Sequence, residues 1–150
     1  MKRMYPEQPV VGVGAVIIRD GKILLEKRSN EPSKGKWTIP GGLVELGESI
    51  QEAVIRETQE ETCLEVENPQ LLDVVDYIER DERGKTKYHF VIADYYLQTE
   101  SSKFKAASDA DELRWVPFNE VESYELTKSF EQFFQRNRER LETFNEIGKD

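Results

Sequence analysis

Residues Gly41 to Leu64 read GGLVELGESIQEAVIRETQEETCL, and no other stretch restricts the chain as tightly. A Gly-Gly turn leads through a loop carrying Glu45 and Glu48 into a segment with Arg56, Glu57, Glu60 and Glu61. Ser49 is a good N-cap, and Glu52 completes a capping box, so the pattern starts a helix just after Glu48. Ile50, Ala53 and Val54 provide apolar contacts near the helix start. Positions 57, 60 and 61 then share one patch of helix surface, because residues three and four apart are neighbours. Like charges at that spacing weaken a helix by about 0.2–0.5 kcal/mol per pair. A divalent cation reverses the sign of that effect, since Mg²⁺ takes hard oxygen ligands and shares its shell between carboxylates and substrate phosphates. Taken alone, such a helix is more often a solvated acidic face.

Around this stretch the chain alternates apolar runs with turn signals. Residues 1–9 are a loose lead-in with Pro6 and Pro9. Val10 to Ile18 reads as a strand, Asp20-Gly21 as a hairpin turn and Lys22 to Arg28 as the returning partner. The polar loop 29–36 leads to Trp37. Beyond the helix, Leu71 to Ile78 and Lys87 to Leu97 form a second predicted hairpin around the Asp81–Gly84 turn. His89, the one histidine, sits in an aromatic strand and reads as a packed or edge residue. Tyr88, Phe90, Tyr95 and Tyr96 either line a base-binding face or pack in the core, the ordinary use of strand aromatics. After a polar loop at 99–109, Leu113 to Val116 is a short strand and Asn119 to Glu122 a helical turn. Thr127 caps a helix to about Phe144 with an incomplete stripe of Phe130, Phe133, Phe134 and Leu141. That stripe offers a surface for a second copy and hence a homodimer, and the tail 147–150 is expected to fray. The pattern is that of one domain over 1–150, with a mixed sheet covered by helices.

A net charge of −9 opposes non-specific nucleic-acid binding, and would oppose a polyphosphate substrate unless cations neutralise the site. One cysteine allows no internal disulfide or thiolate metal cluster. No apolar run approaches the ~18 residues of a membrane span, so a soluble, cytoplasmic protein with no membrane contact is expected.

From Gly42, five residues precede Glu48, seven more precede Arg56-Glu57, and Glu60-Glu61 follow after two. With Leu64, this resembles the box of the Nudix (MutT-like) hydrolase family, G-x5-E-x7-R-E-U-x-E-E-x-G-U, where U is a bulky aliphatic. Two positions depart. Thr58 replaces the aliphatic, and its hydroxyl then needs a partner such as the Val54 carbonyl. Cys63 replaces the glycine, so it either takes a left-handed conformation at a cost of about 1 kcal/mol or the helix ends differently.

The resemblance implies an α/β fold, an α/β/α sandwich with a mixed β-sheet. It implies hydrolysis of the pyrophosphate linkage of a nucleoside diphosphate joined to a second group. Glu57, Glu60 and Glu61, helped by the Gly41 carbonyl, would bind Mg²⁺, with Mn²⁺ the alternative. Glu48 would lie behind them or add a ligand, and Arg56 would orient them. The general base would be a box glutamate or a later acid among Asp109, Asp111 and Glu112, of which Glu112 is favoured. Read from the residues themselves, Arg28 and Trp37 are candidate substrate contacts, beside the ordinary readings of an exposed strand-end arginine for Arg28 and a core or loop anchor for Trp37. The layout is similar to small ADP-ribose pyrophosphatases, which makes ADP-ribose or a nucleotide sugar the expected substrate. The alternative is an oxidised or ordinary nucleoside triphosphate. The subgroup-marker neighbourhood, Glu79-Arg80-Asp81, holds neither Pro nor Tyr. A non-catalytic nucleotide sensor would be expected to lose box carboxylates, and this chain keeps all of them.

Overall fold

The computed structural model describes the backbone of residues 2–100 and 110–147 and the side chains of 2–100 and 112–144. The polar stretch 101–109 and the tail 148–150 lie outside the described residues. The strands are β1 (Val10–Val16), β2 (Ile18–Arg19), β3 (Lys22–Arg28), β4 (Trp37–Thr38), β5 (Gly41–Leu43), β6 (Glu67–Arg80), β7 (Thr86–Gln98) and β8 (Ala110–Pro117). Helix α1 (Ile50–Thr62) lies between β5 and β6. A 3₁₀ turn (Phe118–Ser123) and helix α2 (Lys128–Ile147) follow β8.

Both predicted hairpin turns form, but the first strand is not one element. Asp20 and Gly21 have φ of 52° and 77°, the left-handed pair a tight type I′ turn requires. Only Ile18 and Arg19 pair with β3 across it. The chain breaks at Ile17, and β1 turns into a second sheet, parallel to β7 and antiparallel to β5. That mixed sheet has the order β5-β1-β7-β6. In the other sheet β3 pairs with β2, β4 and β8.

The apolar run in β3 is buried on both faces, as a central strand between two layers must be. Ile23 and Leu25 join Val116 and the α2 residues Phe130, Phe133, Phe134 and Leu141. Leu24 points the other way and joins Val13, Ala15 and Ile17 with Ala53 and Val54 of α1. Helices therefore cover opposite sides of the strands, giving the expected α/β/α layering. The stripe on α2 is filled by the protein's own core, which corrects the expectation that it faces a second copy. Among the described residues no helix is long and apolar enough to cross a membrane.

Local capping follows the expected chemistry. The Ser49 hydroxyl accepts from the Glu52 N–H at 3.1 Å, and Thr127 caps α2 by accepting from the Phe130 N–H at 3.2 Å. Thr58 is fully buried, and its hydroxyl donates to the Val54 carbonyl at 2.7 Å. Cys63 accepts the strained alternative, with φ 61° and ψ 13°, while its N–H donates to the Gln59 carbonyl at 2.9 Å. Glycine adopts that conformation without a Cβ clash. Cys63→Gly is therefore expected to stabilise the fold by about 1 kcal/mol, read as a higher denaturant midpoint at unchanged slope; an unchanged or lower midpoint would contradict the strain.

Candidate active site

The acidic segment is organised by one guanidinium. Arg56 points from α1 to Glu48 in the preceding loop and grips it with two hydrogen bonds, Nε at 2.6 Å and Nη2 at 2.9 Å. Nη1 donates to Glu57 at 2.9 Å and to Glu60 at 3.2 Å, and lies 3.7 Å from Glu45. Nη2 also donates to the Leu43 carbonyl at 3.1 Å, tying β5 to the helix. The planar fork with five N–H donors makes such sharing possible. Its two-pronged grip and the Glu45 N–H hold the Glu48 carboxyl down at about 2.

The glycine turn lies against the same helix. A Cβ on Gly42 would fall 2.2 Å from the Glu57 carboxyl carbon, and one on Gly41 would fall 2.1 Å from the Val13 carbonyl oxygen. The Gly41 N–H donates to Glu61 at 3.4 Å, and Glu61 is only 4% exposed. Bare backbone is what lets two carboxylates approach β5 so closely. All five predicted metal ligands, Gly41, Glu48, Glu57, Glu60 and Glu61, thus fall in one corner of the fold. Among the described residues no three acidic side chains are gathered at ligand spacing, because Arg56 stands between Glu48, Glu57 and Glu60. The donor set is carbonyl and carboxylate oxygen, and the Gly42 cradle holds a carboxylate where a side chain would otherwise be. Both features suit a hard divalent cation such as Mg²⁺ or Mn²⁺.

Beside this corner opens a cavity of about 150 Å³, bordered by Gly41, Gly42 and Glu61. Its apolar walls come from Ile39, Val75, Tyr77, Phe90, Ile92 and Phe130. Polar side chains enter from Glu26, Thr38, Asp94, Thr127 and Ser129, with Arg3 and Arg28 also on the lining. The Trp37 N–H donates to the Glu125 carbonyl, and the Thr127 N–H donates back to the Trp37 carbonyl, which docks the segment before α2 along β4. Burial and the Glu79 hydrogen bond push the Tyr77 hydroxyl up to about 12. Burial, reinforced by the negative field of Asp73 and offset by Arg136, pushes the Asp94 carboxyl up to about 8.

Arg28, a predicted substrate contact, does line the cavity, its Nε fixed on the Pro32 carbonyl at 2.8 Å. Trp37, the other, does not. It is 8% exposed, meets Tyr124 edge-on at 5.2 Å, and carries the Arg114 guanidinium over its ring, so it is a core anchor. Glu112, the favoured base, sits on β8 opposite Lys27, bonds to Arg114 and is not part of the cavity lining. Asp109 and the Asp111 side chain lie outside the described residues. The cavity also takes Glu26, Thr38, Asp94, Thr127 and Ser129, none of them a site candidate from sequence. Asp94 does carry a visible signal, an acidic residue within an apolar strand, in phase with Phe90 and Ile92.

A sandwich in which a glycine turn, an acidic loop and an Arg-centred helix meet beside a cavity is the architecture of the Nudix hydrolases. The chain belongs to that family: the NUDIX domain model matches residues 8–137. It is 41% identical over 113 residues to an ADP-ribose pyrophosphatase of Methanocaldococcus jannaschii, a match covering 75% of this chain and 64% of that protein's length. A MutT Nudix hydrolase from Burkholderia pseudomallei superposes with a TM-score of 0.74 at 36% identity, covering 83% of this chain and 95% of the other. The Nudix domain of Shewanella oneidensis NrtR, solved with ADP ribose, gives 0.75 at 26% identity, covering 91% and 90%.

The Glu48–Arg56 pair has a definite pH signature. Its folded-state value of about 2 lies below the ordinary 4.5, so its stabilisation is complete above about 4.5 and is lost as pH falls toward 2. Glu48→Gln should lower stability at pH 7 and flatten the fall in melting temperature between pH 5 and pH 2. Parallel wild-type and variant curves over that range would show that the pair contributes nothing.

Proposed function

We propose that this protein hydrolyses the pyrophosphate linkage of a nucleoside diphosphate derivative, with ADP-ribose the first substrate and other nucleotide sugars next, in a Mg²⁺-dependent reaction. The observation that carries this reading is the Arg56-centred cluster bordering a cavity with apolar walls. One part of the site suits charge chemistry, and the other suits a base and sugar. The name of the archaeal relative and the ADP ribose held by the Shewanella domain support the choice of substrate.

In the reaction a water oxygen forms a new bond to phosphorus, the bridging P–O bond breaks, and the water's proton leaves to a carboxylate. From ADP-ribose the products are AMP and ribose 5-phosphate. Glu45, Glu48, Glu57, Glu60 and Glu61 set five carboxylates against one Arg56 guanidinium. That excess of negative charge repels a diphosphate unless cations enter with it. Bound Mg²⁺ would neutralise phosphoryl oxygens and lower the pKa of a bound water. Glu57 and Glu61, beside the Gly41–Gly42 turn, are the best-placed holders, and Glu60, 53% exposed, would meet it from the solvent side. Arg56 positions these groups and spans Glu48, which stays ionised throughout the working pH range. For the general base we favour a box glutamate over Glu112, which is not among the residues lining the cavity.

Incubation with ADP-ribose and Mg²⁺ should release AMP and ribose 5-phosphate, followed by chromatography. Glu57→Gln and Glu60→Gln should each lower kcat by about 100-fold, as expected when one electrostatic contact to the reacting phosphate is lost. Their melting curves should remain cooperative. EDTA should abolish turnover, and Mg²⁺ or Mn²⁺ should restore it. Full turnover in both variants, or in EDTA, would sink the assignment. Tight ADP-ribose binding without any hydrolysis would instead identify a sensor.

A further inference from the structure

The mixed sheet ends at β6, which pairs with β7 on one side and, among the described residues, with no strand on the other. An unpaired strand edge is a template for a further strand unless something blocks it. Near its start this edge is blocked. Arg140 Nη1 donates to the Leu72 carbonyl at 3.0 Å, and Arg136 Nη2 donates to the Val74 carbonyl at 2.9 Å, so α2 caps the edge there. Backbone groups along an antiparallel strand face its neighbour and the open side by turns. The Asp81 N–H donates inward to the Lys85 carbonyl at 2.9 Å, and the Val74 carbonyl points outward. Asp76, Ile78 and Arg80 share the phase of Val74 and present their N–H and C=O groups outward as well. The register with β7 is unbroken from Asp73 to Glu79, and the extra residue at its end, Lys87, belongs to β7, so β6 stays regular to Arg80.

The side chains of these three residues are exposed, on the sheet face away from the cavity. Val75 and Tyr77, which alternate with them, line the cavity instead. On the exposed face an apolar patch crosses the strands. Val74 and Ile78, each 48% exposed, lie beside Val91 of β7, and Val91 is in register with Val11 of β1, itself 40% exposed. Helix α1 covers Val13, Ala93 and Tyr95 farther along the same face. Its cover does not reach this end. A contiguous apolar patch beside an open edge marks an interaction surface.

The open segment, Asp76-Tyr77-Ile78-Glu79-Arg80, is complementary to itself. With a two-fold axis at Ile78, Asp76 of one copy faces Arg80 of the other, and Ile78 faces Ile78. Arg80 Nη1 donates to Thr86 at 3.2 Å, and the rest of its fork stays available for that carboxylate. On the other face Tyr77 meets Glu79 of the second copy. No like charges stand directly opposite in this arrangement. Other registers are worse. An axis at Asp76 sets two carboxylates opposite each other, and one at Arg80 does the same with two guanidiniums. An axis at Tyr77 faces Asp76 with Ile78 and calls on the Val74 carbonyl that Arg136 already holds.

We propose that β6 is a dimerisation edge, through which two copies of this chain join antiparallel over Asp76 to Arg80, with Ile78 on the two-fold axis. The two mixed sheets become one continuous sheet, the apolar patches adjoin across the axis, and the cavities remain on the opposite face. Such a contact is isologous, so every substitution acts twice. The assignment is independent of the reaction proposed above.

The test is sedimentation equilibrium of the full chain over a dilution series, with melting curves to check that each variant folds. Wild type should pass from one chain to two as concentration rises. Ile78→Lys places two ammonium groups at the axis, and Asp76→Arg sets guanidinium against guanidinium on both sides of it. Each should raise the dimer dissociation constant by at least about tenfold. Asp76→Arg also reduces the net charge of −9, which by itself favours association, so a weaker dimer reports the local pairing. Combining Asp76→Arg with Arg80→Asp restores opposite charges and should return the constant to within about threefold of wild type. Leu71→Lys, at an exposed site on β6 outside the joined segment, should change nothing. A wild type that stays a single chain throughout overturns the proposal. So does a dimer indifferent to Ile78→Lys, one equally weakened by Leu71→Lys, or a charge swap that fails to restore association.

Discussion

A single guanidinium makes the rest of this site physically possible. Glu57 and Glu60 belong to one helical face, Glu48 and Glu45 approach it from the loop, and without a central cation these groups would push apart. Arg56 is 24% exposed and Glu48 only 13%, so their interaction is less screened than an ordinary surface pair. It also does what lysine could not. The rigid fork reaches two oxygens of Glu48, one each of Glu57 and Glu60, and the Leu43 carbonyl. The loop between β5 and α1 is therefore fixed at both ends by the residue that arranges the helix carboxylates.

The glycine pair turns this local order into a site. β5 pairs with β1 through Gly41 and Gly42, so the helix carboxylates that meet those glycines are tied to the centre of the mixed sheet. Ala53 and Val54, fully buried, press α1 onto the same sheet from below the acidic face. The helix end carries the cost of the two unusual residues. Thr58 satisfies its hydroxyl within the helix, and Cys63 takes a left-handed conformation to end it. Both departures are met by bonds to the helix backbone, so they bear on stability.

What the sequence disclosed and what it hid divide along the range of the interactions involved. The helix start at Ser49, the Thr58 back-bond and the two hairpin turns depend on residues within a few positions of one another. Spacing alone revealed them. The switch of β1 between sheets at Ile17 depends on β7, some eighty residues onward, and an unbroken Val-Ile run gives no sign of it. Trp37 packs as the core anchor its residue type favours, through Tyr124 and Arg114, both remote from it in sequence. Glu112 pairs with Arg114 two residues along, and only the placement of β8 against β3 shows that it lies off the cavity lining. The α2 stripe is legible as apolar, while the core that covers it comes from strands distant in the chain.

The cavity was the least legible part because no contiguous stretch encodes it. Glu26, Thr38, Asp94 and Thr127 arrive from β3, β4, β7 and the entry to α2, and nothing in the spacing of the four brings them together. The acidic corner, by contrast, is written within two dozen consecutive residues. This division has a physical consequence. The corner's geometry is set by short covalent paths and a shared guanidinium, so it tolerates little change in any one member. The cavity is assembled by the register between strands and the docking of α2, so one wall residue can change its shape or polarity without disturbing the corner. Under the proposed function, reaction and recognition would thus be carried by separate parts of this fold, the Arg56 cluster for the first and the cavity wall for the second.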